Sequence, residues 1–271
     1  QAVTGFSVGD RVYGGTGLHL GCYAAYVALP ARGPVAPMPT TMDFAEAAAV
    51  PLGGLNALHF LSRANIGSGD EVLINGAGGS IGAHAVQIAK SLGARVTAVD
   101  HGRKEAFLRR LGADAFVDYR QTDFTADRQT YDVILSMVAS TPYHRCIQAL
   151  RPGGRYLIAN PRLSDMLRAL MTNHFTRQRV DVAFAPETRA GLDALRELIE
   201  QGKIGPIVDR VEPMEQAAEA HRLVEREARL GAIVLAIEDH HDAGQSEFSP
   251  RPPLALPCAE VPHAAHRRSP S

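Results

Sequence analysis

No tryptophan occurs in the 271 residues, cysteine occurs only three times, and neither sign of charge prevails. Cys22, Cys146 and Cys258 lie far apart and form no CxxC pair, so the sequence offers no cysteine zinc knuckle and suits a reducing compartment. Lys and Arg number 28 against 29 Asp and Glu, for a formal net charge of −1. A balance of that kind speaks against nucleic acid or an anionic membrane surface as a partner. No apolar run is long enough to span a bilayer, and the first residues show no basic-then-apolar pattern. The expectation is a soluble cytoplasmic protein with no nucleic-acid and no membrane partner. At 45% hydrophobic residues, the chain can bury a core in one or two domains.

The most informative stretch is EVLINGAGGSIGAHAVQIAK, residues 71–90. An apolar run (Val72, Leu73, Ile74) meets a glycine-rich loop that feeds an amphipathic helix. Gly76, Gly79 and Gly82 stand at GxxGxxG spacing, where missing side chains let backbone and helix start approach a pyrophosphate. The helix N-terminus then offers free N–H groups and a partial positive charge. A tight turn serving packing alone is the plain alternative, and the complete strand–loop–helix context argues against it.

From about residue 70 to 186, strand candidates alternate with helical stretches. The strands are expected at 71–75, 95–100, 115–119, 131–138, 154–160 and 180–186, and the helices near 81–91, 102–111, 142–150 and 163–172. Short apolar strands alternating with helices predict a parallel sheet covered on both faces, with a ligand crevice where strand order reverses. A helix over 187–204 puts Leu192, Leu195 and Ile199 on one face; another is expected over 213–228, starting at Pro213. GAIVLAIE (231–238) reads as a buried strand, 50–64 as a helix, and residues 1–40 as β-rich. Beyond residue 239, Pro, Ser, His and Arg dominate and predict disorder.

Two enzyme classes share an open α/β sheet with a glycine-rich first loop. RPGGRY (151–156) has the look of an S-adenosylmethionine methyltransferase, but Gly82, a third glycine entering the helix, favours a dinucleotide. The flanking text decides: FSVGDRVYG, GCYAAYVALP, EAAAVPLGGLNAL, VLINGAGGSIGAHAVQIAKSLGARVTAVD and LGADAFVDY follow in order, then IQALRPGGRYLIANP and LRELIEQGKIGPIVDR. This resembles the medium-chain dehydrogenase/reductase superfamily in its zinc-independent quinone-oxidoreductase (zeta-crystallin-like) branch, whose members are often called NAD(P)-dependent alcohol dehydrogenases. The resemblance runs over about residues 5–238. It implies an α/β fold: a Rossmann, doubly wound parallel sheet with remnants of a GroES-like β-rich lobe. Residues 1–40 and 205–238 would be those remnants, 41–204 the dinucleotide-binding domain, and 239–271 a disordered tail. Most of the lobe's family sequence is absent before residue 1, so the expectation is an N-terminally truncated chain.

By that resemblance, Gly78, Gly79, Ser80, Ile81 and Gly82 meet the pyrophosphate through backbone N–H groups. Asp100 ends the second strand, where an acid binds a ribose 2′-OH and disfavours a 2′-phosphate. Arg103 and Lys104 follow at once and could pair with that phosphate, unless they form only a solvated charge cluster at a helix start. Lys104 and Tyr119 also fall where the branch has a phosphate-binding lysine and tyrosine. The cofactor expected is therefore NADPH (or NADH).

Near the fourth strand, relatives often carry D-x-V-G, whose backbone lines the nicotinamide site; this chain has Ser136, Met137, Val138 and Ala139. Many relatives place lysine or asparagine after the glycine before the last strand, whereas Ala232 follows Gly231 here. No cysteine or acid falls in PLGGLNAL, where a zinc ligand would be expected, so no zinc is expected. His240, His241, His263 and His266 belong to the tail.

Without zinc, reduction of an activated acceptor is more natural than plain alcohol oxidation. The expected function is hydride transfer to a small-molecule substrate: a quinone, an α,β-unsaturated carbonyl or a small carbonyl. The alternative is a truncated, inactive nucleotide-binding protein. Tyr23 and Tyr26 are the obvious hydroxyls in the remnant lobe and are expected to pack in a β-rich core. No catalytic residue is assigned. Members of the branch are commonly dimers, which makes a homodimer possible.

Overall fold

The computed structural model describes residues 3–17, 21–126 and 130–237. The expected disordered tail and its four histidines lie outside the described residues. Before the main sheet come β1 (Val12–Gly14), β2 (Val35–Pro37), α1 (Phe44–Ala48) and α2 (Val50–Ala64). The central block then runs β3 (Glu71–Asn75), α3 (Ser80–Ser91), β4 (Arg95–Asp100), α4 (Glu105–Arg110), β5 (Ala115–Asp118) and β6 (Tyr131–Ser136). It continues with α5 (Tyr143–Ala149), β7 (Leu150–Ile158), α6 (Leu163–Phe175), β8 (Arg179–Val182) and α7 (Arg189–Glu200). After it come β9 (Val208–Pro213), α8 (Ala217–Glu225) and β10 (Ala232–Ala236).

Six strands form one parallel sheet in the order β5-β4-β3-β6-β7-β8. The order reverses between β3 and β6, as in doubly wound α/β proteins. The alternation of side chains explains why these strands are continuous apolar runs. Val72 and Ile74 of β3, Val133 and Leu135 of β6 and Leu157 of β7 join one core with Leu55, Phe60, Val86, Leu192 and Leu195. Leu73, Ile134, Tyr156 and Ile158 face the other way, into a core with Tyr143, Cys146 and Leu150. Burial pushes the Cys146 thiol up to about 11, so it is packed as an apolar group and not a reactive thiolate.

Local chemistry sets the helix ends. Asp43 and Glu46 form a reciprocal capping box at α1. Asn65 closes α2 in the left-handed region at φ 48°. The Thr188 hydroxyl accepts the Gly191 N–H at 3.1 Å to start α7, whose Leu192, Leu195 and Ile199 are buried as their spacing predicts.

Several boundaries differ from the expectation, each for a physical reason. The strand expected to run to Val138 ends at Ser136, where a hydroxyl network turns the chain. The strand expected over 180–186 stops at Val182; β8 is an edge strand, and Phe184 beyond it is 79% exposed. GAIVLAIE is not a buried strand: β10 pairs only with β9, in a two-stranded parallel ribbon, and buries Val234 alone. The segment GCYAAYVALP forms no strand, because the β1–β2 pair is too small to dock it. Tyr23 and Tyr26 are accordingly 56% and 77% exposed, not in a β core.

His84 is the polar exception inside the α2–α3 contact. Its Nδ1–H donates to the Ser80 carbonyl at 2.8 Å, and its buried Nε2 has no partner. Burial holds the imidazole below its usual pKa against the smaller upward pull of that hydrogen bond. The folded state therefore binds fewer protons at this site than the unfolded chain. Its stabilising share is complete above the unfolded value of about 6.5 and declines as pH falls through and below it. Urea midpoints measured from pH 7.5 down to 5 should fall, and H84N should flatten that slope; an unchanged slope would contradict a buried neutral His84.

Candidate functional site

The switch point of the sheet opens into a cavity of about 220 Å³. Its walls come from the loop after β3 (Gly76, Gly79), the end of β4 (Val99, Asp100), the turn after β6 (Met137, Val138) and the return segment (Val224, Glu227, Arg229). Asn75, Lys104 and Tyr119 complete it.

The glycine loop has the shape its spacing predicts. Gly76 adopts φ +85°, and a Cβ there would stand 3.3 Å from the Val138 side chain. At Gly82 a Cβ would lie 2.3 Å from the Gly76 carbonyl oxygen, so only glycine lets α3 start this close to β3. Gly79 is the helix N-cap, without a side-chain cap. The N–H groups of Ser80, Ile81 and Gly82 point out of the first turn with no acceptor among the described residues. That is a cradle in which an anion fits.

Gly78 differs. Its N–H donates to Asp100 Oδ2 at 2.7 Å and is not free for a phosphate. Asp100 Oδ1 also accepts the His101 N–H at 2.8 Å and faces Lys104 Nζ at 3.1 Å. The two side chains are only 10% and 5% exposed, so the charges cancel inside the protein. Asp100 thus braces the loop and pairs with Lys104, so the charge cluster expected as the alternative is present but buried rather than solvated. Both still line the cavity, together with Tyr119, whose ring meets His101 edge-on. Arg103 turns away: its guanidinium donates to the Glu227 carbonyl at 2.8 Å.

Where relatives carry D-x-V-G, a hydroxyl network holds the turn. Asn75 Nδ2 donates to Thr141 Oγ1 at 2.8 Å and to Ser136 Oγ at 3.2 Å, and the Thr141 hydroxyl donates to the Val138 carbonyl at 2.7 Å. Val138 is 40% exposed at the cavity wall.

Of the residues singled out in sequence, Gly76, Gly79, Asp100, Lys104, Tyr119, Met137 and Val138 line this cavity; Gly78, Ser80, Ile81, Gly82 and Arg103 are not among its lining residues. Sequence reasoning missed Asn75, Val99, Val224, Glu227 and Arg229. A signal for the last two was Gly231, at φ +86°, whose N–H donates to the Gly78 carbonyl at 3.1 Å and whose backbone bridges Gly79. The return segment is thereby laid over the glycine loop. For zinc, no group of three His, Cys, Asp or Glu side chains converges among the described residues.

With this geometry in place, comparison with known proteins is informative. Residues 111–235 match the sequence profile of the family described as zinc-binding dehydrogenase. A quinone oxidoreductase from Coxiella burnetii superposes with a TM-score of 0.77 at 28% identity, over 86% of this chain and 74% of that one. The chain belongs to the medium-chain dehydrogenase/reductase superfamily. The chain is also similar to a stretch of the spectinabilin polyketide synthase system protein NorB of Streptomyces orinoci, 33% identical over 245 residues. That match takes in 87% of this chain but only 11% of NorB. Acryloyl-coenzyme A reductase of Metallosphaera sedula is 28% identical over 178 residues, 65% of this chain and 53% of that enzyme. The chain thus spans about a tenth of the polyketide synthases and about half of the acryloyl-coenzyme A reductase that it matches.

The Asp100–Lys104 pair can be tested directly. K104M should destabilise the fold by roughly 3 kcal/mol, because a buried carboxylate is left without its counter-charge. D100N/K104M should recover part of that loss in a double-mutant cycle of urea unfolding, whereas additive losses would mean the two charges are uncoupled. G82A should cost about 2 kcal/mol or more through backbone overlap and abolish nucleotide binding, read by thermal melts and cofactor titration.

Proposed function

We propose that the chain is a zinc-independent NAD(P)(H)-dependent oxidoreductase acting on a quinone, an α,β-unsaturated carbonyl or a small carbonyl. The observation that carries this reading is the glycine cradle at the strand reversal, with free N–H groups on Ser80, Ile81 and Gly82 beside a cavity that reaches Tyr119 on one side and Val138 on the other. Relatives named for quinone and acryloyl-coenzyme A reduction support the acceptor class.

A bound nicotinamide would supply the hydride. The first turn of α3 would hold the pyrophosphate; Tyr119 and the Asp100–Lys104 pair would lie toward the adenosine ribose, where a 2′-phosphate would compete with Asp100 for Lys104, and the cofactor is read as NADPH (or NADH). Met137 and Val138, held by the Asn75–Thr141 network, would bound the nicotinamide side and exclude water there. Among the described residues no three potential zinc-ligand side chains converge, and protonation is assigned to water in this reading. Tyr23, whose hydroxyl meets His221 Nε2 at 3.1 Å, is exposed and carries no assigned role.

The proposal includes a cytoplasmic location and a homodimer. Among the described residues no helix is long and apolar enough to cross a membrane. For the dimer, α6 exposes Leu163, Leu167, Leu170 and Phe175 beside the edge strand β8.

The second reading, a protein that holds the nucleotide without turnover, is favoured by the replacement of D-x-V-G by Ser136–Ala139. Titration of NADPH and NADH, followed by NADPH-consumption assays with quinones and enals, separates the two. The expected result is micromolar binding with acceptor-dependent loss of absorbance at the nicotinamide band. Binding with no oxidation by any acceptor would leave only the second reading, and absence of binding would end both.

A further inference from the structure

The structure assigns Arg229 as the cation that neutralises the pyrophosphate of the dinucleotide. This inference rests on the nucleotide-binding reading above and adds to it a residue from outside the sheet.

The charge balance of the cavity leads to it. Four charged side chains line the cavity: Asp100, Lys104, Glu227 and Arg229. Asp100 and Lys104 are ion-paired at 3.1 Å and buried, so neither is available to an incoming anion without breaking the pair. Arg103, the other nearby cation, is tied to the Glu227 carbonyl. Arg229 alone among these cations makes no hydrogen bond or ion pair among the described residues. A half-buried guanidinium without an acceptor is costly, and a phosphate satisfies it with two parallel hydrogen bonds.

Its placement favours the pyrophosphate over the 2′-phosphate. Arg229 lies two residues before Gly231, whose N–H donates to the Gly78 carbonyl and whose backbone bridges Gly79, the N-cap of α3. It lines the same cavity as Gly79, the residue that precedes the first-turn N–H groups of Ser80, Ile81 and Gly82. The segment that carries it is fixed at both ends. Glu227 takes φ 53°, a left-handed turn that ends α8 and holds Arg103 through its carbonyl, and Gly231 is the other anchor. Burial lowers the Arg229 guanidinium from its usual range, while the carboxylates of Glu227 and Asp209 pull in the opposite direction more weakly. A pyrophosphate would supply closer negative charge than either.

The test compares the 271-residue chain with R229Q and R229K by calorimetric titration of NADPH, NADH, ADP and adenosine. R229Q is expected to weaken NADPH, NADH and ADP alike by roughly 10-fold or more, leave adenosine unchanged, and flatten the salt dependence of ADP binding. R229K should keep part of the affinity. Melting temperatures of both variants within about 2 °C of the parent establish that the fold is intact. If R229Q misfolds, R229K with unaltered ADP affinity and salt dependence overturns the assignment. Loss confined to NADPH would also overturn it, by moving Arg229 to the 2′-phosphate, as would unchanged binding of all four ligands to R229Q. A parent chain that binds none of them would instead overturn the nucleotide-binding reading itself.

Discussion

The close approach of α3 to the end of β3 is the constraint on which the site depends. A methyl group at Gly82 would stand 2.3 Å from the Gly76 carbonyl oxygen, so the helix can begin there only on bare backbone. That closeness creates a polar problem, because the loop's own N–H groups must find acceptors as the strand ends. Asp100, on the neighbouring strand, solves it for Gly78, and Lys104 neutralises the carboxylate that does so. The remaining N–H groups of the first turn are left facing a cavity. An anion cradle is thus the by-product of a packing solution: strand, glycine turn and helix fit together only in a form that leaves first-turn N–H groups open.

A second layer sits on this one. The chain leaves the sheet, forms β9, α8 and β10, and lays Gly231 on Gly78 and Gly79 through backbone hydrogen bonding. In doing so it brings Glu227 and Arg229 into the cavity beside Gly76 and Gly79, which lie far earlier in the chain. The Arg103–Glu227 contact fastens the same segment from the nucleotide side. Cofactor loop and return segment therefore behave as one unit, and nucleotide affinity is expected to report on both.

Much of the fold was legible because parallel strands buried on two faces leave continuous apolar runs, and the helices between them keep their 3.6-residue period. β3 and β4 fall where VLIN and RVTAVD predict, and α2 covers residues 50–64 as its pattern indicates. The expectation failed where burial does not follow from local pattern. GAIVLAIE is as apolar as a core strand, yet it lies in a two-stranded ribbon that buries Val234 alone. Tyr23 and Tyr26 look like core residues but have no sheet to pack on.

The sequence by itself determined the parallel α/β sheet, the glycine turn and the place of the crevice, since these rest on local periodicity and on glycines whose missing side chains are visible in the text. Only the tertiary structure decided which polar groups are free. Asp100, Arg103 and Lys104 read as three ligand-facing charges, but two neutralise each other and the third binds a backbone carbonyl. Arg229, unremarkable in sequence, lines the cavity with no hydrogen bond or ion pair among the described residues. The Asp100–Lys104 pair spans only four residues, and what the tertiary structure decides there is its burial; the Arg103–Glu227 contact joins elements 124 residues apart, which no spacing along the sequence encodes.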